Sequence, residues 1–250
     1  MHEFWTDELT RQTEGRHSAP FVVSDWKTPS GRIHVGALRG VLLHDAAARA
    51  IKARGHEVRY IYGFDDFDPF DKVPNYLSKS AYETFLGQPM SSVPAPNDKG
   101  EPVPDPTVDL NYARHYAAEF ERVYRSLGVQ SETLRTTELY RTRFFDPAIR
   151  IALDHANQVW LAYKTVLTQN RSEDRRGRNV AAEFPLNVRC EGCGKIATTV
   201  VLGWDTDKAA VTYHCPTDIK GTQYVDGCGY QGSVSPFGGT AKLPWKVEWA

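Results

Sequence analysis

Thr28-Pro29-Ser30-Gly31-Arg32-Ile33-His34-Val35-Gly36-Ala37 is the stretch on which the reading of this chain turns. A short apolar run, Phe21-Val22-Val23-Ser24, stands ahead of it. Behind it Leu38, Val41, Leu42, Ala46 and Ala50 recur at three- and four-residue spacing. That order predicts a strand, a Gly-bearing loop and the start of a helix. A helix start presents free N–H groups and the positive end of the dipole, which suits an anion such as phosphate. His34 and Gly36 fall where that anion would arrive. The same residues also fit an ordinary strand-to-helix turn with an incidental histidine.

Working outward, the helical spacing covers residues 36–54 and closes at Gly55. Glu57-Val58-Arg59-Tyr60-Ile61-Tyr62-Gly63 then reads as a second strand. Strand, helix and strand at this spacing form a βαβ unit, which implies parallel pairing and a right-handed crossover. Asp65-Asp66-Phe67-Asp68-Pro69 follows the second strand directly. In an open parallel sheet, ligands gather beyond the carboxyl ends of the strands. Three carboxylates there suit a cation, an ammonium or hydroxyl groups, although Asp and Pro also make plain turns.

On the other side, residues 1–17 read as a short polar surface helix. Residues 88–107 carry Pro94, Pro96, Pro102, Pro104 and Pro106, which predicts a long excursion rather than a second core. Helical spacing returns from Leu110 to Leu127, with aromatics that suit a core better than a base-stacking platform. Ser131 to Arg135 fits a third strand, and the spacing from Asp146 to Leu167 is again helical. Residues 170–179 hold Arg171, Arg175, Arg176 and Arg178, either as a solvated linker or as a phosphate-binding patch.

The 250 residues are 41% hydrophobic and 12% aromatic, enough for a core and one or two domains. Thirty basic residues against thirty-one acidic ones leave a net charge of -1, so an RNA contact would need a local patch. No apolar run is long enough to span a membrane, and the N-terminus lacks an apolar signal core. A cytoplasmic location is expected. Four cysteines are too few for a disulfide scaffold and point to metal or redox chemistry.

Those cysteines lie in residues 185–235, a Gly-rich region of short β segments. Cys190-Glu191-Gly192-Cys193-Gly194 is a C-x-x-C-G turn that aims two thiolates at one ion. Cys215 and Cys228 follow, and four thiolates suit a tetrahedral Zn²⁺. Thr198 to Leu202 and Ala210 to Tyr213 would form a hairpin between the two pairs, in the order of a zinc ribbon. The second pair is spaced C-x12-C, so Pro216 to Gly227 must loop out. His214 in place of one cysteine, a redox pair and the absence of metal are the alternatives. A closed site of this kind is structural, not catalytic.

Taken together, these motifs resemble the class I lysyl-tRNA synthetases. The likeness rests on Thr28 to Gly36, similar to the HIGH signature with its Pro-Ser-Gly loop, and on Asp65-Asp66-Phe67-Asp68-Pro69-Phe70-Asp71-Lys72-Val73-Pro74. The third part is the cysteine module leading into Lys242-Leu243-Pro244-Trp245-Lys246-Val247-Glu248-Trp249. It covers roughly residues 20–250. The resemblance implies an α/β, Rossmann-like parallel sheet with an inserted zinc-ribbon-like module. Residues 1–184 would be the nucleotide-binding half with a helical insertion, 185–235 the zinc module, and 236–250 a return to the catalytic domain.

The resemblance also implies the chemistry: lysine and ATP form lysyl-adenylate, and lysine passes to tRNA. His34 would stabilise charge on the ATP phosphates, Gly36 would leave room for adenine, and Pro29 and Ser30 would border the nucleotide. Thr28 would contact the amino acid, Asp65 its α-ammonium, and Trp245 the lysine side chain. Mg²⁺ would arrive with ATP, and Cys190, Cys193, Cys215 and Cys228 would hold Zn²⁺. Three departures stand out. Ala37 replaces a polar signature residue, and Trp26 stands where the family tends to carry a small one. The chain also ends at Ala250, before the KMSKS signature and the anticodon-binding part. Leu77-Ser78-Lys79-Ser80 resembles that signature only by chance. An N-terminal portion of a synthetase, or a shortened relative, is therefore expected; in the first case a C-terminal portion supplied elsewhere would complete it. The competing readings are another nucleotidyltransferase with a similar His-x-Gly helix start, and a non-catalytic module binding tRNA or a partner.

Overall fold

A computed structural model of the chain describes residues 4–104, 110–169, 184–218 and 224–248. Helix α1 (Trp5–Arg16) leads into strand β1 (Phe21–Lys27). The predicted turn follows, with one 3₁₀ turn at Val35–Ala37, then α2 (Leu38–Ala53) and β2 (Val58–Phe64). Gly55 takes φ +86 just past α2, the left-handed conformation that closes a helix and that lacks steric cost only for glycine. β1 pairs in parallel with β2 from Phe21↔Val58 to Lys27↔Phe64. The βαβ unit expected from the sequence is therefore present.

The chain then leaves the sheet. A short helix α3 (Lys79–Tyr82) and two 3₁₀ turns lie in this excursion, before α4 (Tyr112–Ser126). The Asn111 side chain caps α4 by accepting from the Arg114 N–H at 2.9 Å. Tyr112, Tyr116, Phe120 and Tyr124 recur every four residues and are all buried. The last two pack with Tyr62 and Phe64 of β2 and Val41 of α2 beneath the sheet. Full burial of one such ring contributes roughly 1.5–3 kcal/mol. The first two join Phe70, Tyr82, Met90 and Val93 in a separate cluster. The excursion thus does build a small core of its own, contrary to expectation. Its prolines break the helical and strand periods, so the buried Met90 and Val93 leave no pattern to read.

Strand β3 (Glu132–Arg135) pairs in parallel with β2, giving a three-stranded sheet in the order β1-β2-β3. Helices α5 (Thr136–Arg141), α6 (Asp146–Asp154) and α7 (Ala156–Gln169) follow. The helical spacing of residues 146–167 is divided between two helices. His155 leaves the helical region at φ -113, ψ 25, and a one-residue break barely disturbs an apolar period. The arginines at 171–178 lie outside the described residues.

Beyond them, β4 (Asn187–Val188), β5 (Val200–Asp205), β6 (Ala210–His214), β7 (Gln231–Val234) and β8 (Ala241–Lys242) precede a short α8 (Trp245–Glu248). β5, β6 and β7 form an antiparallel sheet containing the expected hairpin, and β4 pairs with β8. One cluster runs from Ile149 and Leu153 of α6 through Val188, Val201 and Tyr213 to Leu243. Among the described residues no helix is long and apolar enough to cross a membrane.

Candidate functional site

Parallel pairing puts the loops after β1 and β2 side by side. The Asp65 N–H donates to the Lys27 carbonyl at 3.0 Å, carrying the ladder from the end of β1 one step past β2. Thr28 Oγ1 then donates to Asp68 Oδ2 at 3.0 Å. The two stretches picked out from the sequence meet at the carboxyl edge of the sheet.

The 28–37 loop is held from outside. Tyr112 Oη donates to the Ser30 carbonyl at 2.9 Å, and the Arg32 N–H donates to Tyr76 Oη at 2.7 Å. Gly31 has φ +147, and a Cβ there would meet Tyr76 Oη at 2.4 Å, so the turn requires glycine. Pro29 is buried beneath the turn, while Ser30, His34 and Gly36 are exposed. At Gly36 a Cβ would lie 2.9 Å from His34 Nδ1, so this glycine lets the imidazole fold back over the backbone. No side chain caps the 3₁₀ turn or α2, and neither has an acidic residue in its first turn. The Ala37 N–H donates to the His34 carbonyl at 2.9 Å and the Leu38 N–H to those of Val35 and Gly36, so the N–H groups ahead of Ala37, at the front of the turn, are the ones an anion could meet. A cleft of about 220 Å³ opens beside His34, lined by Ile33, Val35, Leu38, Glu119, Phe120 and Val123. Ala37 is only partly exposed and packs toward the core below β2.

The acidic loop is more buried than its composition suggests. Asp66 is 4% exposed and accepts from the Thr137 N–H at 2.8 Å, which makes it a structural brace for α5. Burial raises its pKa. Asp65 is 1% exposed and accepts from Thr136 Oγ1 at 2.8 Å. Its other oxygen takes the Lys242 ammonium at 3.2 Å. Burial pushes the Asp65 carboxyl up, and Lys242 opposes that shift. Asp68 is the outermost of the three, with its side chain 27% exposed.

Nothing local in the sequence marks Lys242 for a role at this site. It is buried against Asp65, Asp68 and Glu248. Burial alone would lower its pKa, but the three carboxylates outweigh burial and raise it, so it is a cation. Tyr140 Oη donates to Glu248 at 2.7 Å and accepts from the Leu243 N–H at 3.0 Å. Trp245 opens α8 with 51% of its surface exposed and the Lys246 ammonium 5.5 Å from its ring centre. The Trp26 indole lies over Gly63 on the neighbouring strand, at paired positions of the ladder.

The four cysteine sulfurs lie within 4.8 Å of one another. Cys190 and Cys228 approach to 3.6 Å, and Cys193 and Cys215 to 3.8 Å. A tetrahedron of thiolates around Zn²⁺ at about 2.3 Å sets its sulfurs about 3.8 Å apart. Gly194 supports the first turn at φ +72, and its N–H donates to the Cys190 carbonyl at 2.8 Å. The Cys228 N–H and Thr198 Oγ1 both approach Cys215 Sγ, at 3.4 and 3.1 Å, as hydrogen-bonding neighbours of a ligand would. Burial pushes the Cys193 thiol up to about 12 and raises Cys190 as well.

The sequence model of the family described as tRNA synthetases class I (K) matches residues 3–250. The chain is 35% identical over 250 residues to lysine–tRNA ligase 1 of Methanosarcina acetivorans, covering all of this chain and 40% of that protein. It is 33% identical over 251 residues to the lysine–tRNA ligase of Methanococcus maripaludis, covering all of this chain and 41% of that one. For the lysine–tRNA ligase of Methanocaldococcus jannaschii the values are 31% over 250 residues, 100% and 41%. The chain therefore spans about two fifths of the length of these curated relatives.

Proposed function

From the premise that this chain belongs to the class I tRNA synthetases of the K type, we propose that it carries the lysine-activating part of a lysine–tRNA ligase. The observation behind this reading is the Thr28–Asp68 hydrogen bond, which ties the His-Gly loop to the acidic loop at the carboxyl edge of the parallel sheet. An adenylate-forming site needs an anion-binding element and a cation-binding element within one substrate's length. These two loops supply both.

In the first step a lysine carboxylate oxygen attacks the α-phosphorus of ATP, and pyrophosphate leaves with its electron pair. In the second a terminal hydroxyl of tRNA attacks the carbonyl carbon, and AMP leaves. The first step asks the protein for alignment and for charge stabilisation at phosphorus. His34 and the N–H groups at the front of the 3₁₀ turn would face the phosphates. Gly36 and the cleft beside it would receive the adenine, with Pro29 and Ser30 fixing the turn. Thr28 and the acidic loop, including Asp65, would face the amino acid, and Trp245 would border its side chain. Mg²⁺ would come bound to ATP, held mainly by phosphate oxygens. Zn²⁺ at the four cysteines would tie the β5–β7 sheet to the Cys190 turn without entering the reaction. Residues 185–235 would be an inserted module in the synthetase domain. Transfer to tRNA would complete the reaction named for the relatives, which are about two and a half times as long as this chain.

The test is ATP–pyrophosphate exchange, assayed in this chain and in any longer protein that contains it. Lysine-dependent exchange is the expected result. Exchange driven by another acid or alcohol would assign a different transferase. RNA retention without any exchange would leave a binding module.

A further inference from the structure

Lys242 ends β8, and its side chain is 2% exposed. Its Nζ lies 2.6 Å from Glu248, 3.2 Å from Asp65 and 3.3 Å from Asp68. An ammonium has three donors, and three acceptors surround this one, so its bonding capacity is filled. A buried cation needs such partners, but here they exceed it: one positive group faces three carboxylates.

The excess is not shared evenly with the solvent. The side chains of Asp65 and Glu248 are 1% and 2% exposed, and Thr136 and Tyr140 donate to their remaining oxygens. Asp68 differs. Its Oδ1 faces Lys242, its Oδ2 accepts from Thr28, and the side chain is 27% exposed. A cation entering from solvent meets Asp68 before the other two.

We propose that Lys242 is a positioning residue: its ammonium gathers Asp65, Asp68 and Glu248 into one layer and leaves Asp68, beside Thr28, to receive an ammonium group of the amino-acid substrate. This rests on the reading of the site as one that activates an amino acid. Lys242 touches no substrate in this scheme. It acts by fixing a carboxylate that does.

L-Lysine binding to the 250-residue chain, measured by calorimetry, tests the assignment. Asp68→Asn should weaken binding at least ten-fold with an unchanged melting temperature. Lys242→Met should weaken it comparably. In Lys242→Ala, added n-propylammonium, which replaces the missing atoms, should recover affinity; a merely structural lysine would show no such rescue of binding. The partner ammonium is the one whose acetylation, in Nα-acetyl- or Nε-acetyl-lysine, abolishes the difference between wild type and Asp68→Asn. Equal lysine affinity in Asp68→Asn and wild type overturns the proposal, and so does a difference that survives both acetylations. If the Lys242 variants do not fold, Asp68→Asn and Thr28→Val decide it by the same criterion. A wild-type chain that binds no lysine overturns it too. The exchange assay then shows whether the broader reading also fails.

Discussion

The indole of Trp26 occupies the space a side chain would take at Gly63. A Cβ at that glycine would come within 2.0 Å of the ring, and the two residues pair across β1 and β2. The bulky residue at position 26 is therefore accommodated by its neighbour on the next strand. Gly63→Ala should destabilise the chain by about 1–3 kcal/mol through overpacking. In a Trp26→Ala background the same change should cost almost nothing. Denaturant unfolding of the four proteins gives the coupling directly, and a cycle that closes to zero would remove the contact from the account.

His34→Ala should lower lysine-dependent exchange by roughly 10²–10³-fold, the scale for losing one donor to developing charge. Its exposed position means that folding should be untouched. Zinc content and melting temperature serve as the controls, and exchange at the parent rate would end the phosphate role.

Protein purified in metal-free buffer should retain one zinc per chain. Cys193→Ser should reduce that content and broaden the melting transition, since β5, β6 and β7 hang on the site it closes. Zinc well below one per chain in the unmodified protein would show that the four sulfurs, within 4.8 Å of one another, do not hold it.

Glu14 of α1 clamps Arg54 through two hydrogen bonds, at 2.8 and 2.7 Å, and meets His56 at 2.6 Å. The Arg54 guanidinium, then His56, holds its carboxyl below the usual glutamate value. A carboxylate with a lowered folded pKa stabilises fully above its unfolded value, about 4.3, and loses that contribution as pH falls through the folded value. The protection factors of the α1 amides against hydrogen exchange should therefore fall over that acid range. Glu14→Gln should remove this dependence and leave the β5–β7 sheet unaffected.

Much of the fold was legible because it is local. The apolar period of α2, the runs of β1 and β2 and the closing Gly55 each announce themselves within a few residues. The Cys190 turn does the same. Position in the parallel sheet then brought Thr28 and the acidic loop together. What escaped was set by distance in sequence. Lys242 lies 177 residues from Asp65, and nothing around it distinguishes a buried lysine from a surface one. The burial of Asp65 likewise depends on Thr136 and Lys242, which no local pattern connects to it. The break at His155 was hidden for the opposite reason, because the apolar spacing runs through it undisturbed.

β1 has one neighbour among the described residues, and Val22 on it is 58% exposed. The outer edge of this seven-residue strand, roughly 23 Å long, has no strand partner among the described residues and is a template for another chain. Concentration becomes an experimental variable for this reason. Light scattering should rise with protein concentration, a proline at Val22 should suppress the rise, and every affinity and melting curve for the chain belongs at the dilute end of that series.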